Sequence, residues 1–146
     1  MFWSLIRFGR KRMKALAILW LVGISACSAF AQYSKTYTAC SNNAKTQAEM
    51  NGCAGAEDKR TDKELNDLYA QVLAKAARVP QALDKVKAAE RAWIVFRDAY
   101  LEATYPAKDQ YAEYGSIFPM DFALLRAKLT RQQILALREL LKTYNT

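Results

Sequence analysis

Apolar residues recur at spacings of three and four along three stretches of the chain, the pattern that predicts amphipathic helices. The first stretch begins at a capping box, Thr46-Gln47-Ala48-Glu49, in which a hydroxyl and a carboxylate satisfy free backbone donors. The pattern predicts that this helix runs to about Ala77. The polar segment 57–63 interrupts the apolar stripe, and we expect the helix to loosen or kink there.

The second and third stretches are bounded by prolines. Pro80 suits the first turn of a second helix that ends before Pro106, and Pro119 opens a third helix with a wide apolar face. No stretch alternates with period two, so the sequence predicts no sheet. We therefore expect an all-α protein, a small bundle of three to four helices.

The N-terminal segment has the residue order of an export signal, from basic to apolar to small. The apolar run 15–26 is shorter than the roughly 20 residues that span a bilayer, so we expect no transmembrane span in the mature form. The small-x-small triplet Ala29-Phe30-Ala31 fits signal peptidase cleavage. These features predict a signal peptide over 1–31, an N-terminal arm over 32–45 and a helical domain over 46–146.

Two features of the signal leave its processing open. Ile24-Ser25-Ala26-Cys27 also fits lipoprotein processing, in which Cys27 becomes the lipidated first residue. Met13 could serve as the start in place of Met1. The sequence therefore predicts a periplasmic or secreted protein, with a membrane-anchored lipoprotein as the alternative.

Most of the net charge belongs to the signal. The chain has 22 basic and 14 acidic residues, and five of the basic residues, but none of the acidic ones, lie in 1–31. The remaining chain carries 17 minus 14, or +3. A nucleic-acid-binding surface needs clustered basic residues, so we expect no nucleic-acid partner.

Cys40 and Cys53 remain as an even pair once Cys27 is removed or lipidated. In an oxidising compartment such a pair predicts a structural disulfide, worth roughly 3 kcal/mol on the chain-entropy model. A redox or catalytic role is the alternative, but the chain has neither a C-x-x-C motif nor a histidine to activate a thiolate.

Catalytic chemistry has little support in the sequence. The chain contains no histidine, which removes Ser-His triads and most zinc sites. Its helical carboxylates are expected to be solvated, and no phosphate loop or metal-ligand spacing is present; these carboxylates are Glu57, Glu64, Asp67, Glu90 and Asp98. We predict that the protein is not an enzyme and uses no cofactor or metal.

The second helix carries a dense aromatic and charged block, residues 90–99. Trp93 and Arg97 are four apart, so the guanidinium can lie against the indole. Polar residues also interrupt the apolar stripes of the other two helices. We predict a buried polar network that holds the three helices in register, formed by Asn66, Arg97, Asp98 and Thr130.

An ordered set of short motifs gives the chain a resemblance to a known family. The motifs are Glu49-Met50-Asn51 with Cys53-Ala54, Asp62 with Leu65-Asn66 and Tyr69, Arg91-Ala92-Trp93-Ile94 with Phe96-Arg97-Asp98-Ala99, Gly115-Ser116-Ile117 with Pro119-Met120, and Thr130-Arg131. The chain resembles the LprI-like lysozyme-inhibitor domain of secreted bacterial proteins, from Cys40 to about Leu141. The resemblance implies a small helical, disulfide-bearing envelope protein, and at least one member of the family is a lysozyme inhibitor.

The chain departs from the family pattern at a second cysteine pair, whose matching positions are Leu101 and Leu125. Two buried leucines contribute about 1.5 to 3 kcal/mol each, which is comparable to the crosslink they replace. We predict that the two leucines are in contact in the core.

The resemblance implies a protein partner, for which we expect a lysozyme-type muramidase. The loop after the second helix offers aromatic anchors and a flexible tip: Tyr105, Tyr111, Tyr114, Gly115, Ser116 and Phe118. The alternative for these aromatics is that they cap the open end of the bundle. The alternative function is that of a structural or adaptor protein that binds another envelope component and has no effect on lysozyme.

Overall fold

The structure is a computed structural model that describes residues 33–145. The predicted signal peptide and Cys27 lie outside the described residues. A 3₁₀ turn, Gly115–Ile117, precedes the last helix, and the α-helices are α1 Lys35–Asn43, α2 Gln47–Ala76, α3 Ala82–Thr104, α4 Gln110–Tyr114 and α5 Phe118–Thr143. The described part of the chain contains no strand, which confirms the all-α class.

Helix α2 begins at the predicted capping box. The Thr46 hydroxyl accepts from the Glu49 amide at 3.2 Å, and the Glu49 carboxylate accepts from the Thr46 amide at 3.3 Å. The helix continues unbroken through 57–63, so the predicted loosening does not occur. Glu57, Asp58 and Thr61 in this segment are buried, because the face that α2 turns toward its neighbours is polar there.

The three long helices α2, α3 and α5 form the bundle. Contacts from α2 to α5 advance along both helices in the same direction, from Asn51 with Ser116 to Glu64 with Arg138, so these two helices are parallel. Helix α3 runs antiparallel to both of them. One core cluster joins the three helices and consists of Leu65, Leu68, Val72, Ala76, Val86, Ile134 and Leu137. Burial of these side chains is the main favourable term for folding.

The predicted arm differs from the observed structure, because residues 35–43 form helix α1. The Ser34 hydroxyl caps this helix by accepting from the Tyr37 amide at 3.0 Å. No residue of α1 is buried, so apolar periodicity could not reveal it. The predicted disulfide between Cys40 and Cys53 is confirmed, and it joins α1 to α2 with a Cα–Cα distance of 5.7 Å.

Candidate functional site

The loop between α3 and α5 is built on packed aromatic rings. Tyr105 contacts Tyr114 at 5.4 Å and Phe118 at 5.3 Å between ring centroids, both edge to face. Phe118 also lies 5.6 Å from Phe122, and its side chain is buried. These rings close the end of the bundle, so three of the six predicted interface residues, Tyr105, Tyr114 and Phe118, pack largely within the protein.

Hydrogen bonds hold the loop in one shape. The Asn51 side chain donates to the Ser116 carbonyl at 3.0 Å, which ties the tip of the loop to α2. The Ala107 amide donates to the Tyr114 hydroxyl at 3.2 Å. Helix α4 is followed by Gly115, whose φ of 71° is a left-handed conformation that side chains disfavour. The tip is therefore fixed by its own backbone and by α2.

The remaining predicted residues lie at the surface. Tyr111 is 64% exposed, Gly115 and Ser116 are exposed, and the neighbouring Ile117 is 44% exposed. We call these four residues the loop surface. The sequence did not predict Ile117 as an interface residue. Its position after a glycine and a serine does not indicate whether its side chain is exposed or buried.

The loop surface has acidic surroundings. Residues 105–121 contain one basic residue, Lys108, and three acidic ones, Asp109, Glu113 and Asp121, so their net charge is 1 minus 3, or −2. Burial raises the pKa of Tyr105, and the nearby Asp121 carboxylate raises it further. The segment is thus locally negative on a chain whose net charge is positive.

The predicted buried polar network does not form. Asn66 is exposed and donates to the Asp62 carbonyl of its own helix at 2.9 Å. Arg97 lies 5.1 Å from the Trp93 ring, as predicted, and pairs with the exposed Asp98 at 2.7 Å. Thr130 is buried on α5. Asn66 faces solvent because Leu65 and Leu68, which flank it in the sequence, occupy the face of α2 that packs into the core.

A different polar network connects the helices, with Glu57 at its centre. The Glu57 carboxylate accepts from the Ser34 amide at 3.1 Å and from the Ser34 hydroxyl at 2.6 Å. Arg60 donates to it at 3.0 Å with two nitrogens, and Arg131 of α5 donates at 3.0 Å. One buried carboxylate therefore joins the start of α1, α2 and α5.

The residue next to Glu57 makes a second connection between helices. Asp58 is buried and pairs with Arg126 of α5, whose guanidinium also lies 5.9 Å from the Phe122 ring. The hydrogen bond to Asp58 raises the pKa of Arg126. The two adjacent carboxylates thus bind two different arginines of α5.

Burial by itself would raise the pKa of Glu57, but the hydrogen bonds from Arg60 and Ser34 outweigh it and hold that pKa below its ordinary value. The prediction of solvated faces for Glu57 and Glu90 is wrong, because both side chains are buried. Residues 53, 57 and 61 are spaced by four and therefore lie on one face of the helix. This spacing would have predicted that Glu57 is buried, although its polarity suggested the opposite.

The described residues show no cluster of side chains that could hold a metal ion. Among the helices of residues 33–145, none is long and apolar enough to cross a membrane.

Comparison with known proteins identifies the family. The family model "Lysozyme inhibitor LprI" matches residues 39–137, a span that includes α2, α3, the loop surface and most of α5. The "Uncharacterized protein R02472" of Rhizobium meliloti (strain 1021) is 32% identical over 129 residues, which cover 80% of this chain and 88% of that protein. No solved structure matches the chain significantly. The resemblance predicted from the motifs is confirmed, and the chain belongs to the LprI family of lysozyme inhibitors.

Proposed function

We propose that this chain is an exported bacterial envelope protein that binds a lysozyme-type muramidase and blocks it through the loop surface. One observation carries the proposal: the matched family span contains a loop that presents Tyr111 and Ile117 to solvent on a fixed base. The role is one of binding and not of catalysis.

The shape of the loop suits entry into a cleft. A binder that is ordered before it meets its target avoids the entropy cost of ordering on contact. The ring packing around Phe118 and the bond from Asn51 to Ser116 supply that order here. Tyr111 is an aromatic side chain of the kind that dominates binding energy, and Gly115 allows close approach of the backbone.

The local charge favours the same partner. Lysozymes are often strongly basic, and a net charge of +3 on the chain beyond residue 31 would repel one. The acidic residues Asp109, Glu113 and Asp121 reverse the sign of the charge around the loop surface. Complementary charge at the contact favours correct encounter over wrong partners, even when the overall charges do not.

Inhibition can be tested by following lysozyme-driven clearing of a cell-wall suspension in the presence of the purified, processed protein. We expect inhibition near a molar ratio of one. Tyr111→Ala combined with Ile117→Ala should weaken it at least ~10-fold, because loss of one such anchor typically costs more than about 1 kcal/mol. Val79→Ala is the matched control, since Val79 is an exposed apolar residue in the turn after α2, about 40 Å from the end of α2 that contacts the loop.

Absence of inhibition at high molar excess would contradict the proposal. The adaptor role would then remain, and a pull-down from envelope extract that returned one stoichiometric partner other than a lysozyme would support it.

Export is tested separately, by mass spectrometry of the protein purified from its own host. An N-terminus at Gln32 indicates a periplasmic or secreted form, and an acylated Cys27 indicates a membrane-anchored lipoprotein. A chain that retains residues 1–31 would contradict export.

A further inference from the structure

Helix α3 has two faces that differ in what they contact. Its inner face packs against α2 and α5 through Val86 and Leu101. Its outer face is a heptad pattern with steps of three and four residues, and every member is exposed: Lys85, Ala88, Ala92, Val95, Ala99 and Glu102. Such a pattern is the seam along which two helices pack.

Large exposed apolar side chains concentrate on this helix. Val95, which is 70% exposed, belongs to the stripe, whereas Phe96, which is 56% exposed, and Tyr100 lie on one side of it and Ile94 lies on the other. The outer face of α3 therefore has the spacing of a helix-packing seam, with Val95 as its large apolar side chain among three alanines.

We propose that this outer face binds the same face of a second copy of the chain, with the two α3 helices antiparallel. Centring the helices between residues 93 and 94 places Val95 against Ala92 of the second copy and Ala88 against Ala99. The same arrangement places Lys85 against Glu102. A twofold axis repeats each of these pairs, so the surface is complementary to itself, as a symmetric dimer requires.

Charge decides both the occupant and the orientation. Lys85 and Glu102 form no ion pair or side-chain hydrogen bond with any residue in the described part of the chain. They stand at opposite ends of the stripe, so antiparallel copies bring unlike charges together at both ends. Parallel copies would bring Lys85 against Lys85 and Glu102 against Glu102, which is repulsive.

The length of the stripe determines the affinity that we expect for the dimer. Residues 85 to 102 cover about 26 Å of helix. The small side chains at 88, 92 and 99 allow close approach of the two backbones. A contact of this length falls among the smaller interfaces, for which we expect a dissociation constant on the order of micromolar. This inference does not depend on the proposed function, because the loop surface is separate from α3.

Sedimentation equilibrium of the processed protein, purified from its host, measures the association. We expect a concentration-dependent monomer–dimer equilibrium that Val95→Glu abolishes. Leu135→Glu is the matched control, since Leu135 is an exposed apolar residue on α5 and its substitution should leave the dimer intact. A monomer at hundreds of micromolar overturns the proposal, and so does a dimer that Val95→Glu does not weaken.

A charge exchange tests the orientation. Lys85→Glu and Glu102→Lys should each weaken the dimer roughly 10-fold, because either change replaces two unlike pairs with two like pairs. The double variant should restore wild-type affinity. If the single variants have no effect, or if the double variant is weaker than either, the antiparallel arrangement is wrong. Val95→Glu should leave lysozyme inhibition unchanged, so failure of the dimer and failure of the proposed function give different results.

Discussion

Two buried glutamates, Glu57 of α2 and Glu90 of α3, occupy opposite electrostatic situations. Glu57 accepts hydrogen bonds from Ser34, Arg60 and Arg131, and its pKa is lowered. Glu90 accepts one hydrogen bond, from the neutral Gln133 amide at 2.7 Å, and burial raises its pKa. Burial costs a carboxylate its hydration in both cases, and the donors decide whether the charged form is still favoured.

The difference extends to the helices that these residues join. The contact among α1, α2 and α5 is held by a disulfide and two buried carboxylates that bind arginines. Helix α3 is held by Val86, Leu101 and a glutamate whose charge is poorly compensated. We therefore expect α3 to be the less firmly attached helix, and substitutions can test each side of the comparison.

The largest expected effect is that of Glu57→Ala. This change leaves the buried part of Arg131 without its carboxylate, and loss of one partner from such a pair typically costs about 3 to 5 kcal/mol. Urea denaturation at pH 7 measures the free energy of unfolding. Glu64→Ala is the control, because Glu64 pairs with Arg60 and Arg138 at the surface, where ion pairs contribute about 1 kcal/mol or less. Equal losses for the two variants would contradict the central role of Glu57.

Removal of the disulfide comes next in size. Cys40→Ala with Cys53→Ala should lower the free energy of unfolding by about 3 kcal/mol, because the reduced chain gains conformational freedom when unfolded. Reduction of the wild-type protein should reproduce the loss, and adding reductant to the double variant should change nothing. If reduction leaves the stability of the wild-type protein unchanged, the crosslink does not hold α1 in place.

The sequence predicted the features that depend on apolar spacing and on local signals. The capping box at Thr46, the starts of α2 and α5, the helical class and the Cys40–Cys53 pair all follow from residues close together in the chain or from cysteine count. The family was also recognisable from ordered motifs. Local chemistry restricts these features of the structure most strongly.

The sequence did not predict which polar residues pair over long distances in the chain. Glu57 and Arg131 are 74 positions apart, and no local pattern shows that they meet. Residue polarity suggested a kink and a solvated face at 57–63, while the fold buries that face and satisfies it with arginines from α5. Asn66 was misassigned for the opposite reason, since an amide between two leucines on a helix can face solvent.

A smaller effect, of opposite sign, is expected at Glu90. Glu90→Gln removes a buried charge and keeps a side-chain oxygen that can accept from Gln133, so it should stabilise the protein at pH 7 by up to about 1 kcal/mol. Because the pKa of Glu90 is raised in the folded state, its buried charge lowers the stability of the fold at high pH. This destabilisation disappears as the pH falls below the ordinary value of 4.5. The gain from the substitution should disappear over the same range.

Glu57→Gln provides the contrast at the other glutamate. Its loss should be largest above pH 4.5 and should shrink only as the pH falls through the lowered pKa of Glu57. Denaturation curves for both variants across this range measure the two trends. If both variants were less stable than the wild type above pH 4.5, or both more stable, the contrast between the surroundings of the two glutamates would be wrong.

Changing both Leu101 of α3 and Leu125 of α5 combines two opposing effects on stability. Leu101 is buried and Leu125 is half-buried, and their mutual contact stays a prediction. Changing both to cysteine gains about 3 kcal/mol from a crosslink and loses about 1.5 to 3 kcal/mol for each leucine that is fully buried. The oxidised double variant should therefore lie within about 3 kcal/mol of wild type, while either single variant loses stability with no compensation. The bond forms only if the two Cα atoms approach within about 7 Å. A second two-dalton mass loss on oxidation would show that contact, and its absence would place the leucines apart.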